Sequence, residues 1–247
     1  MILESIIESS RQRAAVLPDV FPEELFPTRS LAQAICSRSP AVIGEVKYAS
    51  PQGPTGATLS PGRLAAAMAA GGAVAISVLT EPTVFAGDPS YIREVRRYIS
   101  LPILRKDILV HPAQIRESRA LGADAVLLIA TVVGSDLVEF VDCAIASGLE
   151  PVVEVSSEEE VRSALSTSAQ IIGINNRDLW TLEIDLSRAH RLAPMIRAAR
   201  RIPVAMSGIS DPGEVKEYMK TCSAVLIGSS IAKAENPQEA MEEFACM

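Results

Sequence analysis

Eight short runs rich in Val, Ile, Leu and Ala punctuate the chain, beginning at Ala41, Ala73, Leu101, Ala123, Pro151, Ile171, Ile202 and Ser223. Within each run the apolar character is nearly continuous, as expected for strands covered on both faces. Successive runs start 20 to 32 residues apart. That interval holds one strand, a crossover helix and two loops, the rhythm of repeated right-handed βαβ units. Helix starts lie between the runs. Ser60-Pro61, Asp88-Pro89 and Asp211-Pro212 each set an N-cap acceptor before a proline whose missing N–H costs nothing at the first helical position. Asp211 with Glu214, and Ser156 with Glu159, have capping-box spacing, and Gly71-Gly72, Gly122 and Gly148 are placed to close helices as left-handed C-caps. Eight alternating units that close on themselves predict an α/β fold, the (β/α)8 or TIM barrel. An open doubly wound sheet is the alternative, but no GxGxxG follows the first strand to support a dinucleotide crevice.

Residues 1–40 precede the first strand, with a helical stretch from Ile2 to about Leu17, a Pro-rich turn, and a second short helix from Ser30 to Cys36. This predicts one barrel domain over 1–247, of which 1–40 is a helical N-terminal extension too short to be a second domain. A hydrophobic content of 48% against 21% charged residues excludes a disordered or collagenous chain. An aromatic content of only 4% favours helix-covered parallel strands over an aromatic-rich sandwich. The net charge of −7 comes without a Lys/Arg block, so a nucleic-acid surface is not expected and any anionic ligand has to be held locally. No apolar run reaches membrane-spanning length and Met1 to Ser5 lacks a charged segment followed by an apolar one, so a soluble, cytoplasmic protein is expected. Cys36, Cys143, Cys222 and Cys246 are widely spaced without a CxxC, which predicts reduced, buried thiols and neither disulfides nor a metal site. His111, before Pro112, and His190, among arginines, read as capping or surface residues.

In a (β/α)8 barrel the active site forms at the C-terminal ends of the strands, so polar residues there carry the functional information. The first run holds Glu45 and Lys47 on one face, the third ends in Lys106-Asp107, the fifth holds Glu154, and the sixth ends in Asn175 with Arg177 just beyond. Structural ion pairs could account for any one of these, but four inward charges on three strands point to a reaction centre. Ser207-Gly208-Ile209-Ser210 after the seventh run and Gly228-Ser229-Ser230 after the eighth can surround a phosphate with backbone N–H groups and without a basic side chain. Ser50, before Pro51 in the first loop, either adds a hydroxyl to that site or simply initiates a turn.

Taken in order, Glu45-Val-Lys47-Tyr-Ala-Ser50-Pro51, Ile76-Ser-Val-Leu-Thr-Glu-Pro82, Leu104-Arg-Lys106-Asp107, Gly122 to Ile129, Gly173-Ile-Asn175-Asn-Arg177-Asp-Leu179, Ser207-Gly-Ile209 and Ile227-Gly-Ser-Ser230 resemble the indole-3-glycerol phosphate synthase family over nearly the whole chain. The resemblance implies a cofactor-free carboxy-lyase of tryptophan biosynthesis. Its substrate would be 1-(2-carboxyphenylamino)-1-deoxyribulose 5-phosphate, and its products indole-3-glycerol phosphate, carbon dioxide and water. It also implies Lys106 as general acid on the ketone oxygen, Lys47 holding the substrate carboxylate and sharing in proton delivery, and Glu154 as acid/base for the dehydration. Glu45 would orient a lysine and the substrate hydroxyls, and Asn175 would fix a hydroxyl. Phosphate and substrate contacts are expected at Ser50, Ser207, Gly208, Gly228, Ser229 and Arg177, and an apolar slot for the aromatic ring at Phe85, Ile108, Leu127, Leu179 and Leu182.

Three departures from the family pattern involve four positions. Met206 stands where many members carry Glu before Ser-Gly-Ile, Ile108 replaces a Phe, and Tyr48 and Gln52 replace a basic and a small residue in the first loop. The expected partner is the phosphorylated substrate alone, with no nucleic acid or membrane, in a monomer or weak homo-oligomer. Two other readings stay open on sequence. One is a phosphoribosyl isomerase barrel, which would use an aspartate or cysteine pair instead; the other is a catalytically silent barrel serving as a binding subunit.

Overall fold

The structure is a computed structural model that describes residues 2–18, 20–21 and 26–246. Met1, Met247 and part of the Pro-rich turn (19 and 22–25) lie outside the described residues. Eight strands form the barrel: β1 (Val42–Val46), β2 (Ala75–Leu79), β3 (Ile103–Lys106), β4 (Ala125–Ile129), β5 (Glu150–Val155), β6 (Ile171–Asn175), β7 (Ile202–Met206) and β8 (Ala224–Ile227). They close in sequence order with every neighbouring pair parallel, β8 returning to β1 through Val42–Val225 and Gly44–Ile227. The (β/α)8 barrel is therefore the fold, and the open doubly wound sheet is set aside.

Strand parity sorts the side chains into two shells, because successive residues point to opposite faces. Ile43, Leu104, Leu127, Val152, Ile171, Val204 and Leu226 fill the interior. Val42, Ile76, Ile103, Val126, Val153, Ile172 and Val225 face the helices. The helices in chain order are α1 (Ile2–Ala15), α2 (Leu31–Cys36), α3 (Pro61–Ala70), α4 (Ser90–Tyr98), α5 (Pro112–Leu121), α6 (Ala130–Val133), α7 (Leu137–Ala146), α8 (Glu158–Leu165), α9 (Ser187–Ala198), α10 (Pro212–Tyr218), α11 (Ser229–Ala232) and α12 (Pro237–Ala245). Among the described residues no helix is long and apolar enough to cross a membrane.

The extension serves both ends of the barrel. Leu31 and Ile35 of α2 join the interior cluster from the N-terminal ends of the strands. There the Ser30 hydroxyl donates to Glu150 at 2.6 Å, the Ala32 N–H to the same carboxylate at 2.9 Å, and the Arg29 N–H to Asp124 at 2.9 Å. At the opposite end α1 lies across the mouth, its first turns over the cleft and Arg13 against the end of β3.

Local capping follows the expected chemistry with four corrections. Asp211 and Glu214 form a capping box, and His111 caps α5 by accepting the Ala113 N–H on Nδ1 while Gln114 bonds back. The cap of α8, however, is Ser157 and not Ser156, its hydroxyl accepting from the Glu160 N–H while Glu160 takes the N–H of Ser156. The Ser60 side chain makes no cap bond, so Pro61 alone sets that helix start, and α4 begins at Ser90 with Pro89, not Asp88, at its N-cap. Gly72, Gly122 and Gly148 have positive φ, but Gly71, at φ −75°, does not. Of the cysteines only Cys222 is buried, and Cys36 and Cys246 are exposed because each sits at the solvent-facing end of its helix.

Candidate active site

Parity on β3 decides which charges reach the mouth. Lys106 shares the inward face with Leu104, whereas Arg105 and Asp107 point outward. Across the barrel Glu45 of β1 faces Lys106, its two oxygens paired with different lysines: Oε1 lies 3.6 Å from Lys47 Nζ and Oε2 3.5 Å from Lys106 Nζ. Gly228 makes this possible. It follows β8 beside β1, and any Cβ there would collide with the Glu45 carboxylate. On the far side the Asn175 amide donates to Glu154 at 2.8 Å, and the Asn175 carbonyl oxygen accepts the Arg177 N–H at 3.0 Å. Lys47, Lys106, Glu154 and Asn175 thus border one cleft, and Glu45 joins the two lysines at the adjoining one.

The electrostatics push the four charges apart. Burial favours the neutral form of Glu45, but Lys106 and Lys47 outweigh it and hold the carboxyl below its ordinary range. Burial likewise pulls on both lysines. For Lys106 the Glu45 and Glu154 carboxylates prevail and keep it above the usual lysine value. Lys47 has only Glu45 for support and Lys106 and Arg177 against it, so burial wins and its pKa falls. Glu154 is raised, since burial exceeds the help of Lys106 and Asn175. The pKa values of Lys47 and Glu154, which border the same cleft, are thus drawn toward each other, an arrangement that marks sites where side chains exchange protons.

Two adjoining clefts open from this centre and share Lys47, Gln52, Lys106, Arg177, Ser207 and Ser229. The apolar one is lined by Phe85, Ile108, Leu127, Leu179 and Leu182 together with Ser50. The Phe85 ring sits 5.7 Å from Lys47 Nζ. The other is bounded by Ser207, Gly208, Ile209, Ser210, Gly228, Ser229 and Ser230. In this second cleft Ser207 and Gly208 both take positive φ, 69° and 82°, which turns the chain sharply at the end of β7. Arg177, expected among the phosphate and substrate contacts, borders this cleft and is held there by donating to the Leu182 carbonyl at 3.0 Å.

The departures from the family pattern fall in different places. Met206 is buried and its thioether packs over Gly173 in the interior, yet it also borders the serine-lined cleft. Tyr48 turns away from the mouth, donates to the Leu59 carbonyl at 2.8 Å and packs edge-on against Tyr91. Sequence reasoning missed the apolar wall from α1, where Ile2, Leu3 and Ile6 face the ring slot. It also missed Glu81, fully buried at the edge of the same cleft. For α1 a signal existed, because an amphipathic helix ahead of a barrel has to lay its apolar face on some part of it. Neither histidine enters the site; His190 stacks on Tyr218 with centroids 4.7 Å apart.

Comparisons with known proteins point one way. The family model for indole-3-glycerol phosphate synthase matches residues 4–244. An indole-3-glycerol phosphate synthase from Methanopyrus kandleri is 37% identical, covering 98% of this chain and 97% of the relative. Those from Carboxydothermus hydrogenoformans and Aquifex aeolicus are each 39% identical, covering 98% of this chain and 98% and 95% of the relatives. Among solved structures, a thiamine phosphate pyrophosphorylase from Pyrococcus furiosus superposes with a TM-score of 0.59 at 18% identity, covering 83% of this chain and 93% of the other, a likeness of fold alone.

Proposed function

The chain belongs to the indole-3-glycerol phosphate synthase family, carboxy-lyases of tryptophan biosynthesis, and from that premise we propose how its mouth divides the reaction. The observation that carries the proposal is Glu45 bridging Lys47 and Lys106, opposite Glu154–Asn175, between an apolar and a serine-lined cleft.

The phosphate of 1-(2-carboxyphenylamino)-1-deoxyribulose 5-phosphate lies among Ser207, Gly208, Gly228 and Ser229, with Arg177 and Ser50 reaching it from the other walls. The anthranilate ring fills the slot of Phe85, Ile108, Leu127, Leu179 and Leu182. With both ends held, the ring carbon bearing the carboxylate is brought to the ribulose ketone, and the barrier falls through orientation.

Carbon–carbon bond formation draws on the aniline nitrogen lone pair and places negative charge on the ketone oxygen, which Lys106 protonates. Lys106 suits that step because the two carboxylates keep it charged in a buried place. Lys47 holds the substrate carboxylate until carbon dioxide leaves, when the bonding pair returns to the ring and restores its aromaticity. Dehydration follows: a lysine proton goes to the departing hydroxyl, and Glu154 takes the proton from the adjacent carbon to complete the indole. Two protons are delivered and one is taken, so each turnover removes one proton from solvent. Glu45 keeps the lysines apart and aimed, and Asn175 holds Glu154 toward the substrate. No step calls for a cofactor. A cytoplasmic setting and no macromolecular partner accord with the net charge of −7 and the lack of a basic block.

Mixing the protein with this substrate, with nothing else added, tests the proposal. Indole emission growing with time is the expected result. A flat trace from protein that binds the substrate would reduce the function to phosphate-ligand binding by a silent barrel.

A further inference from the structure

Glu81 follows β2 by two residues and is fully buried beside the ring slot, yet among the described residues it faces no cation at ion-pair distance. Its carboxylate is used up locally. Oε1 accepts the Thr83 N–H at 2.8 Å and the Thr83 hydroxyl; Oε2 accepts the Val84 N–H at 2.8 Å and the Phe85 N–H at 3.2 Å. The Glu81 carbonyl closes the same turn by accepting the Gly87 N–H at 2.8 Å. Four donors on one carboxylate leave it no free lone pair for a ligand, and charge-assisted bonds to three consecutive residues fix the turn firmly. One sign of that constraint is Ala86, a non-glycine residue at φ 51°, a conformation that persists only where its surroundings impose it.

What the turn presents is Phe85. Its ring covers Lys47 Nζ at 5.7 Å, and its carbonyl accepts the Ala49 N–H at 3.2 Å. Ala49 opens the small antiparallel ribbon, Ala49–Ser50 against Gly53–Pro54, that forms the first mouth loop. One residue therefore touches the lysine and clasps the neighbouring loop, and both contacts depend on where the turn puts it.

We propose that Glu81 is a positioning residue, which holds Phe85 over Lys47 and against the first loop and so sets how tightly the aromatic end of the substrate is bound. The inference deepens the reading of Phe85 and Lys47 as substrate contacts and rests on it.

Steady-state kinetics on the full chain, read by indole emission, test it with Glu81→Gln, Phe85→Ala and their combination. Glutamine keeps the size of the side chain but turns a donor toward the Val84 and Phe85 N–H groups. The expected result for Glu81→Gln is a KM raised about tenfold with kcat within about twofold, since the misplaced group binds and does not react. Phe85→Ala raises KM similarly, and the double variant is no worse than Phe85→Ala, because one effect acts through the other. Thr83→Val removes only the hydroxyl donor and is expected to raise KM about twofold in the native background and not at all beside Phe85→Ala; it carries the test if Glu81→Gln does not fold. An unchanged KM in Glu81→Gln, or effects that multiply in full in the double variant, would overturn the inference while leaving the ring slot in place. An unchanged KM in Phe85→Ala would remove the ring-slot reading itself, and the inference with it.

Discussion

Two clusters of buried charge meet at the end of β3 and could hardly be built more differently. On the outward face Arg105 and Asp107 are saturated. Asp107 accepts from Thr80 at 2.6 Å, from Arg105 at 3.0 Å, from Arg13 through both guanidinium nitrogens at 3.0 and 3.1 Å, and from the Ile108 N–H at 2.8 Å. Arg105 adds Glu117 at 2.7 Å, the Gln114 carbonyl at 3.2 Å and Ser118 at 3.1 Å. On the inward face Lys106 and Lys47 stand 3.5 and 3.6 Å from Glu45, whose Oε2 has no hydrogen-bond partner among the described residues. A satisfied network specifies structure, tying α1 and α5 to the barrel. An unsatisfied one holds charge ready for a substrate that completes it, and the fold tolerates it because Arg105 and Asp107 beside it are well satisfied.

That contrast can be broken at several places. Glu154→Gln preserves the bond from Asn175 in shape and removes the base; kcat falls by about 10³ while stability holds or rises, since a buried carboxylate is lost. Rate assays beside thermal melts check both halves, and a large drop in the melting midpoint would place Glu154 with the structural cluster. Asp107→Ala does the reverse. Removing the carboxylate that Arg105 shares with Arg13, with Glu117 left to balance Arg105, costs about 3 kcal/mol, or roughly 6 to 12 °C in the midpoint, and the folded variant keeps a kcat within about tenfold of the native one.

The sign of the pH dependence also separates the clusters. Asp107 is held below the ordinary aspartate value of 3.8, so its contribution to stability is complete above that value and is lost as pH falls through the lower folded value. Acid titration of stability in Asp107→Asn should lack that loss. Activity is governed by the other pair. It declines as pH falls through the raised Glu154 value, where the base becomes protonated, and as pH rises through the lowered Lys47 value, where the ammonium is lost. The expected profile is a bell narrower than ordinary glutamate and lysine would give, and a plateau extending to the usual lysine range would contradict the account. The smallest effect is expected from Met206→Glu. A third carboxylate bordering the lysines raises the Lys47 pKa and moves the alkaline limb upward, at a stability cost of about 1–3 kcal/mol for burying the group, measurable as a pH profile and a melt.

Most of this architecture was legible in the chain because it repeats. Apolar runs such as Ala125–Ile129 recur at βα spacing, and strand ends are the one place where Glu45, Lys106 and Glu154 stand out against an apolar background. Parity separates Lys106 from Arg105, but only once the strand is known to line a closed barrel. What stayed hidden depends on contacts that carry no period. Arg13 meets Asp107 across 94 residues, and Ile2, Leu3 and Ile6 belong to a helix whose landing place its own pattern does not state. Glu81 stands in the Ile76-to-Pro82 motif with nothing to mark its role, because a side chain that organises its own turn has the same letters as one that faces solvent. Ser157 displaced Ser156 as a cap for a related reason: two adjacent serines and three glutamates allow either pairing, and only the entry angle of α8 chooses.

The central claim is that adjacent residues of β3 have separate tasks, and parallel measurement of kcat and the thermal midpoint in Lys106→Met and Arg105→Met tests it directly. The account predicts that Lys106→Met loses at least about 10³ in kcat with a change in stability near 1 kcal/mol, whereas Arg105→Met loses several times that stability and keeps most of its activity while folded. Near-native turnover in Lys106→Met, or equal destabilisation in the two variants, would contradict it.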